Sequence, residues 1–162
     1  MIPLAKQVIL AAKERGITIA TAESCTGGMV AAALTDFAGS SAAFERGYVT
    51  YSNTAKVEML RVSQATLDAH GAVSEETAKE MCEGARLNAR TAVAVATTGI
   101  AGPGGSDFKP EGRVCFGVTD GAETFCQTVE FGALGRENVR SAATEHALQM
   151  LLDRIISISH TS

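Results

Sequence analysis

The chain predicts an α/β domain in three layers, an α/β/α sandwich with helices on both faces of a mixed sheet. Three observations carry this. Up to Thr98, short apolar or β-branched runs alternate with longer stretches of helical periodicity, the order that yields parallel strands. One run, Thr-Ala-Val-Ala-Val-Ala-Thr-Thr from Thr91 to Thr98, is small or apolar throughout and reads as a central strand covered on both faces. Beyond it, Arg113–Thr119 and Thr124–Phe131 alternate in polarity around Asp120-Gly121, a two-residue hairpin signal, so an antiparallel pair joins the sheet. A length of 162 residues suits one domain, taken as 1–162.

Each element follows from local pattern. From Pro3 to Arg15, Ala5, Val8, Ile9 and Ala12 recur at helical spacing, with Pro3 fit for the first turn and Gly16 for the stop. Ile17–Ala22 is a short buried strand. Met29–Phe37 is a helix of small residues, able to pack closely on the sheet. After the loop Ala38-Gly39-Ser40-Ser41, Phe44–Ser52 reads as a strand. Asn53 is read as the cap of a helix over 54–60. Ser63 caps another that ends near His70-Gly71. Ser74-Glu75-Glu76-Thr77 is read as a capping box, its acid at the third helical position, opening a helix to about Asn88. Arg136–Ser157 is a long helix with Val139, Ala143, Ala147, Met150, Leu151 and Ile155 inward.

Composition excludes several classes. Charged residues make up 20% and apolar ones 46%, as in an ordinary folded domain. A net charge of −4 without a basic run argues against non-specific duplex binding, and the lack of Trp against a stacking platform for single strands. No run is long and apolar enough for a membrane span, and the N-terminus does not resemble a signal peptide. Cys25, Cys82, Cys115 and Cys126 form no C-x-x-C pair, and His70, His146 and His160 are scattered. Free cytosolic thiols, a cytoplasmic location and no metal site are therefore expected.

Chemistry concentrates in three places. Thr21-Ala22-Glu23-Ser24-Cys25-Thr26-Gly27-Gly28 joins a strand to a helix, a turn that collects hydroxyl groups and unsatisfied backbone N–H groups. It presents Ser24 or Cys25 at the carboxyl edge of the sheet, where open α/β folds bind ligands; a plain helix cap is the alternative. Next comes Tyr51 to Lys56, at a strand end and a helix start. The positive end of that helix lowers the pKa of the Lys56 ammonium, and a lysine that deprotonates near neutrality serves a serine as general base. A solvated surface lysine is the competing account. The third is Thr97-Thr98-Gly99-Ile100-Ala101-Gly102-Pro103-Gly104-Gly105, whose glycines let backbone N–H groups approach a charged ligand, followed by the polar segment 107–111. It lacks the lysine of a P-loop. Arg136 and Arg140, one turn apart at the start of the last helix, call for an anionic partner, either Glu137 or a phosphate.

These motifs resemble the CinA C-terminal domain family. The resemblance is carried by residues 21–28, Ala-Gly-Ser-Ser at 38–41, Phe-Glu-Arg-Gly-Tyr-Val-Thr-Tyr-Ser-Asn-Thr-Ala-Lys at 44–56, His-Gly-Ala-Val-Ser at 70–74 and Gly-Ile-Ala-Gly-Pro-Gly-Gly at 99–105. It spans nearly the whole chain, without the N-terminal partner domain that often accompanies the family. It implies an anticodon-binding-domain-like fold, a homodimer and no cofactor. The implied activity is that of stand-alone nicotinamide-nucleotide amidases, which hydrolyse the carboxamide of nicotinamide mononucleotide to nicotinic acid mononucleotide and ammonia. Ser24, Lys56 and Tyr51 are the implied nucleophile, base and proton relay. The backbone of Cys25, Thr26 and Gly27 then stabilises the oxyanion, while Thr98, Gly99, Gly102 and Arg140 hold ribose and phosphate. Two other readings stand beside it: a nucleotide-binding module without catalysis, of the competence- or damage-inducible kind, and a Ser–Lys peptidase, which needs a groove for an extended chain.

Overall fold

The computed structural model describes residues 1–106 and 108–158; Asp107 of the polar segment, His160 and the remaining end to Ser162 lie outside them. In chain order the elements are α1 (Leu4–Arg15), β1 (Ile19–Glu23), α2 (Met29–Leu34), β2 (Phe44–Val49), α3 (Asn53–Leu60), α4 (Gln64–His70), α5 (Glu75–Ala89), β3 (Val93–Gly99), β4 (Arg113–Thr119), β5 (Thr124–Glu130) and α6 (Arg136–Ser157). The sheet has the order β2-β1-β3-β4-β5. β1 runs parallel to both β2 and β3, while β4 is antiparallel to β3 and β5 to β4. The predicted mixed sheet, with an antiparallel pair added to a parallel one, is present.

Side-chain size alternates along the central strands and sets the two helix layers at different depths. Ile19, Val93, Val95, Val114, Phe116 and Val118 face the core shared with α1, α2 and α6. Ala20, Ala22, Ala94 and Ala96 face the other, with Leu60, Leu67, Met81, Cys82 and Ala85 from α3, α4 and α5. On that alanine face the helices lie close. A Cβ on Gly117 of β4 would stand 2.8 Å from the Ala78 carbonyl oxygen of α5, and one on Gly84 of α5 would meet the Leu60 carbonyl of α3. Among the described residues no helix is long and apolar enough to cross a membrane.

Several boundaries differ from the sequence reading for local reasons. Ser52, not Asn53, caps α3: its backbone is extended and its hydroxyl accepts from Ala55 N at 3.0 Å, so Asn53 is already helical. Ser74 does cap α5, accepting from Thr77 N at 3.1 Å, but the third helical position is Thr77 rather than an acid. The Thr77 hydroxyl donates to Gly71 O, closing the preceding turn instead of a capping box. The β4–β5 connection has four residues, not two, because Asp120 Oδ1 accepts from both Ala122 N and Glu123 N and rounds the loop. α2 stops at Leu34, where the Thr35 hydroxyl donates to the Ala31 and Ala32 carbonyls.

Candidate active site

The turn after β1 is held from inside by a buried carboxylate. Glu23, 1% exposed, accepts from the Thr26 hydroxyl at 2.6 Å and from the first backbone N–H groups of α2, Val30 at 2.9 Å and Ala31 at 3.0 Å. An anion at a helix N-terminus satisfies donors that the helix cannot. Thr26 is shared further: its hydroxyl lies 2.7 Å from that of Thr97 on β3. The Thr97 carbonyl in turn accepts from Ser24 N at 3.0 Å. Gly27 and Gly28 follow with φ of +57° and +107°, a left-handed pair that turns the chain into α2. From the other side, Arg140 donates to the Cys25 and Thr26 carbonyls at 3.1 and 3.4 Å.

This scaffold sets Ser24 against Lys56. Lys56 is 1% exposed, and its Nζ lies 3.0 Å from Ser24 Oγ, 2.8 Å from Thr50 O and 3.4 Å from Tyr51 O. The alternative of a solvated surface lysine is thereby excluded. Burial pulls its pKa from 10.5 down to about 8. The cause is desolvation of the charged form, where the sequence reading invokes the positive end of the helix. The same burial pushes the thiol of Cys25 the other way, up to about 12. Near neutrality Cys25 is therefore a protonated thiol, a weak nucleophile.

The pair opens into a cavity of about 360 Å³ at the carboxyl ends of β1 and β3. Of the residues singled out from sequence, Ser24, Cys25, Tyr51, Lys56, Thr98, Gly99 and Gly102 line it. Thr26, Gly27 and Arg140 do not; they stand behind the turn and support it. Thr98 directs its hydroxyl to Ala72 O at 2.8 Å, fixing the 70–74 segment as a wall. Tyr51 is 60% exposed at the mouth, and its hydroxyl accepts from Arg136 Nη2 at 2.8 Å, not from Ser24 or Lys56. Arg136 Nη1 donates to Gly102 O at 2.8 Å, so one guanidinium joins Tyr51 to the glycine loop. Among the described residues it makes no ion pair with Glu137, the protein partner offered from sequence.

Sequence reasoning misses Glu23 and Lys109. Glu23 sits in the leading motif, but only the fold makes it a buried cap. Lys109 follows the glycine run and donates to His70 O and Val73 O at 2.8 and 2.6 Å, tying that loop across the cavity. Among the described residues lining the cavity, Lys56, Lys109 and Arg136 are basic and no carboxylate is present. The site thus favours an anionic ligand carrying a group that Ser24 can attack.

Known proteins share this chain's sequence pattern and fold. The model of the CinA C-terminal domain matches residues 1–155. The chain is 49% identical over 157 residues to the nicotinamide-nucleotide amidohydrolase PncC of Escherichia coli K12, covering 96% of this chain and 95% of that protein. It is 48% identical over 157 residues to a CinA-like protein of Chloroherpeton thalassium, covering 92% of this chain but 37% of that relative. The chain thus spans about a third of the length of the CinA-like relatives it matches. Among solved structures, the competence/damage inducible protein CihA of Agrobacterium tumefaciens superposes with a TM-score of 0.90 at 44% identity, over 94% of this chain and 97% of that one. The competence damage-inducible protein A (ComA) of Klebsiella pneumoniae does so with a TM-score of 0.92 at 38% identity, over 96% and 97%. Family model, relatives and fold converge, and the chain belongs to the CinA C-terminal domain family.

Proposed function

We propose that this protein hydrolyses the carboxamide of nicotinamide mononucleotide to nicotinic acid mononucleotide and ammonia, with Ser24 as nucleophile and Lys56 as general base. The observation that carries the reading is the buried Ser24 Oγ–Lys56 Nζ contact of 3.0 Å, facing a cation-lined cavity. The near-full-length likeness to PncC of Escherichia coli supports the substrate.

The hydrogen-bond inventory of Lys56 suits the task. A neutral amine has two N–H donors and one lone pair. Thr50 O and Tyr51 O take the donors, and the lone pair accepts from the Ser24 hydroxyl. Ser24 Oγ attacks the carboxamide carbon while its proton passes to Lys56 Nζ. Of the nearby amides, Ser24 N–H is engaged by Thr97 O and Gly27 N–H by Ser24 O. Those of Cys25 and Thr26 have no backbone or side-chain acceptor among the described residues and are assigned to the oxyanion. Collapse breaks the C–N bond, and Lys56 returns the proton to the departing nitrogen, releasing ammonia and leaving an ester on Ser24. Water then attacks the ester, one proton passing through Lys56 to Ser24 Oγ as the carboxylic acid departs and loses its remaining proton to solvent.

The test is ammonia release from nicotinamide mononucleotide with a chelator present. Turnover is expected, and Ser24→Ala lowers kcat roughly ten-thousand-fold. Cys25→Ala, which retains the backbone amide, keeps turnover far above that of Ser24→Ala. If Cys25→Ala is the dead variant, the assigned nucleophile is wrong. A nucleotide that raises the melting temperature without being hydrolysed points instead to a binding module.

A further inference from the structure

The strand at one edge of the sheet, β5, carries none of the devices that keep sheet edges from pairing. Its seven residues, Thr124 to Glu130, include no proline, lysine or arginine, and they pair with β4 without a bulge. The opposite edge is guarded: β2 carries the charged Glu45 and Arg46, and its register with β1 shifts between Ile19 and Ala20. The phase of the β4–β5 ladder fixes which backbone groups of β5 are spent. Phe131 N donates to Gly112 O and Asp120 N to Glu123 O, so by alternation Phe125, Gln127 and Val129 bond β4. The N–H and C=O groups of Thr124, Cys126, Thr128 and Glu130 point outward, and no backbone group of another described element bonds them. The side chains divide likewise. Thr124 and Thr128 donate to Glu83 and Glu75 of α5 at 2.8 and 2.7 Å. On the α6 side, Gln127 meets His146 at 3.0 Å and Val129 packs against the core. Phe125 on that side is 50% exposed, beside a groove of about 150 Å³ that it shares with Met150.

We infer that two copies of this chain associate through β5, the two strands pairing antiparallel about a two-fold axis at Gln127. This register overlaps β5 along its whole length. It sets Cys126 opposite Thr128 of the second copy and Thr124 opposite its Glu130, so every outward backbone group is paired. On the α6 side it lays Phe125 against Val129 of the second copy, an aromatic–β-branched pair that covers the exposed ring. On the α5 side the charges alternate along the strand: Glu83 beside Thr124, Lys79 beside Cys126, Glu75 beside Thr128, and the Arg113–Glu130 pair at the end. Reversal about the axis brings Lys79 toward Glu75 of the second copy, a meeting of opposite signs. Moving the axis by one residue, to Cys126, leaves Glu130 without a strand partner and sets Phe125 against Gln127. The two copies then share one continuous sheet, while each cavity opens elsewhere, at the ends of β1 and β3. The association is therefore independent of the proposed amidase chemistry.

Sedimentation velocity of the full chain reads the association, and a dimer is the expected species. Gln127→Lys sets two ammonium groups against each other on the axis and is expected to raise the dimer dissociation constant roughly 100-fold. Gln127→Cys places two thiols at a non-hydrogen-bonded antiparallel pair, with Cα atoms about 4.5 Å apart. That spacing fits a disulfide, and mild oxidation with copper–phenanthroline is expected to link the two copies covalently. The unsubstituted chain is the control for register. Its Cys126 lies opposite a threonine, so it gives no cross-link under the same oxidation. The cross-link reports the pairing directly and decides the matter even where Gln127→Lys fails to fold. A monomer at concentrations up to about 100 μM overturns the inference. So does a dissociation constant unchanged in Gln127→Lys, a Gln127→Cys chain that does not cross-link, or a cross-link through Cys126 in the unsubstituted chain.

Discussion

Placing the Lys56 amine among a serine hydroxyl and two carbonyls, with no carboxylate beside it, makes protonation the costly state. Two consequences share one sign. For the proposed activity the amine must be neutral, so turnover of nicotinamide mononucleotide is expected to rise with pH along a limb centred near 8. For stability, the folded pKa lies below the unfolded one, so the unfolded chain binds more protons between about 8 and 10.5. Folding stability therefore increases across that window, and below it the full penalty is present. The shift corresponds to roughly 3 kcal/mol. Melting curves of the parent and Lys56→Met check it: the parent gains on the variant from pH 8 to 10.5, and the gap is flat below. A gap independent of pH contradicts a desolvated amine.

At the scale of elements, the Ser24 turn is held because the end of β1 and the start of α2 share one carboxylate, which β3 reaches only through the hydroxyl of Thr26. Glu23 Oε1 accepts from Thr26 and Val30, and Oε2 from Ala31. Glu23→Gln retains one acceptor oxygen but sets an NH₂ against a backbone donor, leaving buried groups unpaired. That costs about 1–3 kcal/mol. A lowered denaturant midpoint with a reduced kcat for Ser24 chemistry is expected, and an unchanged midpoint removes Glu23 from the scaffold. This arrangement also marks where sequence reading stops. Ser24 and Lys56 are legible because strand-to-helix turns display hydroxyls and because the motifs around them are specific. Burial of Glu23 is not, since an acid beside a turn is ordinarily solvated, and only the approach of β3 with Thr97 closes it off. Ser52 and Asn53 are both good capping residues, and an extended backbone at the first decides between them.

Across the whole molecule, the site is a seam between distant parts of the chain. Tyr51 and Arg136 are 85 positions apart, and their contact depends on how α6 passes the sheet edge, which no local pattern encodes. That is why Arg140 is the one singled out from sequence, although the two are one turn apart and Arg136 is the one that lines the cavity. Periodicity does reveal the layers themselves, because alternating valine and alanine on β3 assigns large residues to one face and small ones to the other. The small-residue face has a functional consequence. α3 carries Lys56 and rests on α5 through Leu60, one turn further along, whose carbonyl occupies the space where a side chain on Gly84 would stand. Gly84 is not among the residues lining the cavity, yet the Cβ of Gly84→Ala meets the Leu60 backbone and must push α3 away from α5. Overpacking of this kind costs about 1–3 kcal/mol. It also displaces Lys56 from Ser24, and proton transfer is sensitive to such displacement. A lower melting temperature together with a kcat reduced by about tenfold or more, and a KM nearly preserved, is the expected result. A destabilised protein with full kcat would mean that the Ser24–Lys56 pair is positioned by β1 and the 50–52 segment alone, independently of the depth at which α3 sits.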